Sequence, residues 1–234
     1  MTLSLVHVNP MSGTVATLAA TAGVAVGGYV PHGWRGLGAC ATQGLSTNPW
    51  YPDGLRRALE AGFEAEAALH AVVDADSGAS RRQCLVMDAL GRAAVHSGQD
   101  NLPRVAASLK PTVAVAGNLL AGAPVIETLL KTFLTTTCHN ADAVIAEEAF
   151  PCYRHDYEVR LLEALIAALE AALAAGGDVR GTHSAALRIE SFQSAPLDLR
   201  VDWAEHDLIA QLRGLAARVR APAFADFLAS LPRR

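Results

Sequence analysis

Apolar residues recur along this chain in two rhythms. Short runs of small and β-branched residues, bounded by Gly, Pro and Asn, read as strands, and longer runs with a stripe along one helical face read as helices. "TLSLVHV" (2–8) is of the first kind and ends in an "NPMSG" turn. The stretch 14–26 predicts a second, bent strand, followed by a "GGYVPHG" loop. A third strand is predicted over 36–43, and "STNPWYPDG" leads to a helix start at Asp53 or Gly54. Two short helices broken at Gly62 come next, then a hairpin with strands 83–88 and 92–97 around a turn at 89–91. The run 112–118 is a strand closing in Gly-Asn, and 123–136 a helix.

Residues 137–153 have no clear period. "DYEVRLLEALIAALEAALAAGG" is the plainest helix, amphipathic and stopped by Gly176-Gly177. Strands return over 184–191 and 197–202, and a last helix runs from about Glu205 to Leu228. Strands cluster and pair as hairpins, with weak βαβ alternation. The expected fold class is therefore α+β with layered antiparallel sheets, in one domain over 1–234. An irregular insertion around 137–156 and a C-terminal helix complete it.

Composition narrows the partners. Hydrophobic residues make up 51% of the 234 and charged residues 18%, which fits a packed core and argues against disorder. Net charge is −4 with no basic stripe, so no nucleic-acid partner is expected. No Asp, Glu, Lys or Arg precedes Arg35, yet turn residues interrupt this stretch before the roughly 18 apolar residues a membrane helix needs. No membrane partner and no targeting segment are expected. Cys40, Cys84, Cys138 and Cys152 lack a framework spacing, which predicts reduced thiols and a cytoplasmic location.

Candidate chemistry begins at Thr2. A threonine hydroxyl is a weak nucleophile that needs a base. An N-terminal α-amine, with a pKa of about 7.7–8, can take its proton at working pH. If Met1 is removed, Thr2 carries nucleophile and base together. Gly117-Asn118 closes a strand, where the glycine permits close backbone approach and the Asn amide can donate to an oxyanion. Gln43 is a polar end to an apolar strand. In "GGDVRGTHSAAL", Asp178 and Arg180 form either a structural pair or a charged-substrate site, and Gly181, His183 and Ser184 lie in the same loop. Cys138, His139, Cys152, His155 and Asp156 do not follow zinc-ligand spacing, so no metal is expected, and no cofactor motif appears.

Taken together, "MTLSLV", "VGGYVP", "GLGACATQ", "NPWYPDGLRRALEAG", "RRQ", "MDALGRAAVHSG", "GNLLAG" and "GGDVRGTHSAAL" resemble a bacterial and archaeal family of unknown function. Its members have an N-terminal-nucleophile (Ntn) hydrolase fold and are often mislabelled as fimbrial assembly proteins. The resemblance runs from Thr2 to about residue 202. It implies an Ntn-hydrolase-like αββα four-layer sandwich with two antiparallel sheets. The family typically begins Met-Thr-Phe-Ser-Ile, which puts Thr2 on its candidate nucleophile. Its Gly-Asn falls on Gly117 and Asn118, its Ala-Thr-Gln on 41–43, and its Gly-Gly-Asp-x-Arg-Gly-x-x-Ser-Ala on 176–185. Where the family usually has Ser at the end of its second strand, this chain has Thr21, which keeps a hydroxyl.

Two functions follow as expectations. The first is an Ntn amidohydrolase acting on a small amide, cyclic amide or short peptide. Thr2 and Asn118 are its catalytic residues, supported by Thr21, Gln43, Gly117, Asp178, Arg180 and Ser184. The second is a non-catalytic scaffold that binds a small molecule or assembles as a homo-oligomer. Removal of Met1 separates them.

Overall fold

The computed structural model describes residues 2–231. The chain opens with β1 (Thr2–Val8), β2 (Val15–Thr21), β3 (Pro31–Trp34) and β4 (Gly38–Gly44), followed by α1 (Tyr51–Glu60) and α2 (Ala65–Val73). Then come β5 (Arg82–Asp88), β6 (Ala93–Ser97), β7 (Val105–Lys110) and β8 (Val113–Asn118). Helices α3 (Pro124–Thr137), α4 (Ala141–Ile145) and α5 (Leu161–Ala174) precede β9 (Ser184–Glu190) and β10 (Leu197–Val201). Helices α6 (Leu208–Val219) and α7 (Pro222–Ser230) end the described chain. The class is α+β, with two antiparallel sheets ordered β10-β9-β2-β1-β8-β7 and β3-β4-β5-β6.

Three apolar clusters explain this arrangement. On β1 the side chains alternate, as strand geometry requires. Leu3 and Leu5 join Phe133, Leu165 and Leu169 of α3 and α5 against one face of the larger sheet. Val6 and Val8 face the other way and pack with Ala39, Ala41, Leu85 and Met87 of the smaller sheet. The outer face of the smaller sheet, with Cys40, Cys84 and Val86, packs Leu55, Leu59 and Leu69 of α1 and α2. Every residue of β1 and β2 is buried, which is why no charge appears so early in the chain: an unpaired charge there would lose its hydration.

Several elements differ from the sequence reading. The second strand stops at Thr21, not 26: Ala25 adopts a left-handed conformation and its N–H bonds Asp202 O at 2.9 Å. The presumed "GGYVPHG" loop holds the edge strand β3, short and interrupted by Pro and Gly. Strand β7 was not anticipated; its burial is only partial, so its pattern is weak. Helix α1 starts at Tyr51 because Pro52 suits the first turn, where no N–H partner is needed. The long helix begins with a 3-10 turn at Tyr157–Arg160 before α5, and the final helix splits at Pro222. Residues 137–153 contain α4 and an antiparallel bridge between Cys138 and Tyr153.

That segment is anchored by a buried histidine. His7 of β1 lies between Phe133, Tyr153 and Tyr157, with Nδ1 2.7 Å from Thr112 O and Nε2 3.3 Å from the Tyr157 hydroxyl. Glu158 accepts from Asn9 Nδ2, Ser12 Oγ and Thr14 Oγ1, tying the same segment to the β1–β2 turn. Burial lowers the His7 pKa to about 4, against smaller raising effects from Thr112 O and Glu158. The folded state thus holds neutral His7 where the unfolded chain would protonate it. Stability is full above pH 6.5 and declines as pH falls toward about 4, by about 3 kcal/mol from this group. Urea unfolding of wild type and His7→Gln across that window checks this. The variant should have a distinctly flatter pH slope, and an unchanged slope would contradict the assignment.

Candidate functional site

The antiparallel register builds one row of side chains across the larger sheet. Thr2 is opposite Thr21 on β2 and opposite Asn118 on β8, and Thr21 is opposite Ser184 on β9. Neighbouring strands lie about 4.8 Å apart, so residues in register touch although 182 positions separate the first from the last. Thr2 is 9% exposed, Thr21 5%, Asn118 1% and Ser184 0%, so this is a closed polar cluster at a strand end.

Its hydrogen bonds define the roles. The Thr2 backbone N–H donates to Asn118 Oδ1 at 3.1 Å, and the Thr2 hydroxyl donates to Thr21 Oγ1 at 3.2 Å. Gln43, from the facing sheet, donates through Nε2 to Thr2 O at 3.3 Å and to Gln83 Oε1 at 2.7 Å. The Oε1 of Gln43 is buried with no partner. A buried acceptor left bare costs free energy, so the site holds unused capacity for a donor beside Thr2. The Asn118 amide nitrogen faces Gln83 Oε1 at 3.4 Å. Asn118 therefore presents an acceptor toward Thr2 N, where the sequence reading gave it an oxyanion donor.

The remaining expected residues fall into supporting positions. Asp178 Oδ2 accepts from the N–H of Ala22, just past Thr21, at 3.1 Å, and Arg180 grips the same carboxylate from its backbone N–H and its guanidinium. Burial acts to raise the Asp178 pKa, hydrogen bonds from Arg180 act to lower it, and the carboxylate stays below its ordinary value. The Asp178 side chain is fully buried while that of Arg180 is half exposed. Ser184 Oγ donates to Gly23 O at 2.7 Å and accepts from Val26 N–H at 3.3 Å, fastening the segment after β2. His183 N–H donates to Thr21 O, and its ring stacks on Trp203. Gly117 sits beside Asn118, and its carbonyl accepts from Gln83 Nε2. It pairs with Leu3 on the strand face opposite to Thr2, and an added Cβ would sit 2.8 Å from Leu120 and 3.0 Å from Ile126.

Gln83 is the participant that sequence reading did not single out. It is fully buried, accepts from Gln43 and Asn118, and donates to Ser97 Oγ at 3.1 Å and Gly117 O at 3.2 Å. The signal was the one that marked Gln43, a polar residue at the end of an apolar strand, and the two are directly opposite in register.

A cavity of about 630 Å3 borders the cluster through Gly177, Asp178 and His183, with Glu205, Asp207 and Arg213 on its other side. Thr2 lines neither this cavity nor a groove of about 680 Å3 beside β3. Among the described residues no group of three His, Cys, Asp or Glu side chains could hold a metal ion, and no helix is long and apolar enough to cross a membrane. Met1, on which the proposed chemistry turns, is outside the described residues.

No curated protein sequence matches this chain. Among solved structures, the crystal structure of protein SPO2555 from Silicibacter pomeroyi is 26% identical and superposes with a TM-score of 0.82, covering 99% of this chain and 95% of that one. Anbu (ancestral beta-subunit) from Yersinia bercovieri covers 100% of this chain and 99% of its own at 11% identity, but its TM-score of 0.38 is too low to argue from. SPO2555 is itself described by the same family model that matches residues 2–212 here, and on that match this chain belongs to the family of unknown function DUF1028.

Proposed function

We propose that this chain is an Ntn amide hydrolase, with Thr2 as nucleophile once Met1 is removed. Its substrate class is a small amide, a cyclic amide or a short peptide. The observation that carries the reading is the register row, in which Thr2 N meets Asn118 Oδ1 and Thr2 Oγ1 meets Thr21 Oγ1. Helices against the outer faces of two facing antiparallel sheets fit the αββα layering of Ntn hydrolases.

With Met1 gone, the nitrogen bonded to Asn118 becomes the α-amine. Asn118 then fixes where the base stands, and Thr21 sets the rotamer of the nucleophilic hydroxyl. Thr2 Oγ attacks the amide carbon while the α-amine takes its proton. The tetrahedral species collapses with C–N cleavage, and the ammonium passes that proton to the departing amine. Water then attacks the threonyl ester, the α-amine takes the water's proton, and C–Oγ cleavage returns it to Thr2. The bare Gln43 Oε1 fits an N–H of the bound substrate. Asp178, Arg180 and Ser184 hold the segment that follows Thr21.

A second reading is favoured by the burial of Thr2 and its absence from either cavity lining. The cluster is then a structural clasp, and the chain binds a small molecule or assembles as a homo-oligomer without turnover. The four free cysteines fit a cytoplasmic setting under both readings.

Two experiments test the hydrolase. Protein lacking Met1 should turn over at least one member of an amide and cyclic-amide library. Thr2→Ser should retain part of that rate, and Thr2→Ala should lose on the order of 10^3-fold or more. Equal turnover by Thr2→Ala would overturn the mechanism. Asn118→Ala strips the acceptor from Thr2 N and the donor from Gln83, so chemical unfolding should lose about 1–3 kcal/mol. The same variant should lower kcat more than it raises KM. A stable, fully active Asn118→Ala would remove the residue from the account.

A further inference from the structure

The groove of about 680 Å3 lies where the edge strand β3 meets β9, β10 and α1. It is distinct from the Thr2 row: along β9 the buried Ala186 separates Ser184, in the row, from Arg188, in the groove. Four guanidinium groups line it, from Arg35, Arg56, Arg188 and Arg200. Three carboxylates answer them. Glu60 pairs with Arg56, Glu190 with Arg188, and Asp198 with both Arg188 and Arg200. The cation left over is Arg35, whose Nη1 donates to Ser191 O at 3.2 Å and whose guanidinium lies over the Phe192 ring, 5.8 Å from its centroid. Among the described residues no carboxylate pairs with that guanidinium. Of the groups that line the groove four are guanidinium cations and two, Glu60 and Glu190, are anions, while Asp198, Asp202 and Asp53 act on residues of the lining from outside it.

A second observation is independent of that charge count. His32, also lining the groove, keeps its Nε2 shielded from water with no hydrogen-bond partner. His32 thus keeps a buried polar atom unsatisfied, which costs free energy. Burial lowers its pKa, and Arg188 and Arg200 lower it further, while the Tyr29 carbonyl and Asp53 of α1 act the other way. An anion placed in the groove would act against the two arginines and favour the protonated ring. Trp34, stacked with His32 at 6.3 Å between ring centroids, supplies an aromatic wall.

We propose that this groove binds a small organic oxyanion, carboxylate or phosphate, held by Arg35, with its body against Trp34 and with His32 in the groove wall taking up a proton. Planar guanidinium groups suit both anions, and the volume falls in the range of metabolite sites, about 300–1,000 Å3. Binding is linked to proton uptake by His32, so affinity rises as pH falls through the histidine range.

Calorimetric titration of the full-length protein with glutarate, with inorganic phosphate and with phenyl phosphate tests this and tells the two anion chemistries apart. At least one probe should bind, with proton uptake from buffer and tighter binding at lower pH. Arg35→Gln should weaken it about tenfold or more, and Arg35→Lys should restore part of the loss. His32→Gln should bind with little pH dependence. Thr2→Ala should bind like wild type, so the outcome does not depend on the hydrolase reading. No heat from any probe up to millimolar concentration would overturn the proposal. So would equal binding by a folded Arg35→Gln, since the arginines would then be saturated by their own carboxylates.

Discussion

Strand β1 is zipped between β2 and β8, and the site depends on that double pairing. One register on each side places Thr2 between Thr21 and Asn118. A slip of one residue on either side would move Thr2 to face Ala20 or Gly117 and would turn every side chain of β1 to the opposite face. Leu3 and Leu5 would leave the helices, and Val6 and Val8 would leave the smaller sheet. The apolar packing on two faces thus fixes the position of one polar residue at the strand's first position, with no need for local contacts to do so. The same burial accounts for the absence of charge along β1 and β2.

Once the row is formed, the polar groups within it have few choices. Asn118, Gln83 and Gln43 form a chain of amides that joins the larger sheet to the smaller through Thr2 O and Gly117 O. Each amide inside a closed cluster must be satisfied, so each one fixes its neighbour's orientation. This is why Asn118 turns its oxygen to Thr2 N: its nitrogen is committed to Gln83. The Gln43 oxygen is the place where the network is incomplete, and it lies next to Thr2. On the other side of the row, Asp178 and Ser184 fasten the backbone of the segment after β2, and Arg180 grips Asp178.

Strand ends were the legible part of this site in the sequence. Thr2, Gln43, Asn118 and Ser184 are polar residues where apolar runs begin or stop; Thr21, inside the strand predicted over 14–26, is tied to them by the resemblance to a known family. Gln83 obeys the same rule but became meaningful only through its pairing with Gln43, a contact across 40 positions that no local pattern encodes. Which face of β8 Gly117 occupies also depends on register, and it faces Leu120 and Ile126. Strand β3, with Pro31 and Gly33 in four residues, carries too little alternation to read. The arginine-lined groove needs β3, β9, β10 and α1 together, so it has no linear signature. The last helix, read as one run over 205–228, splits for a local reason, at Pro222.

The central claim is that Thr2 N is a free amine in the working protein, held by Asn118. Mass analysis of the N-terminal peptide, from protein purified out of its own organism, tests that most directly. The account predicts a peptide that begins at Thr2 with an unmodified amine. A peptide that begins at Met1, or a Thr2 blocked by acetylation, would contradict it.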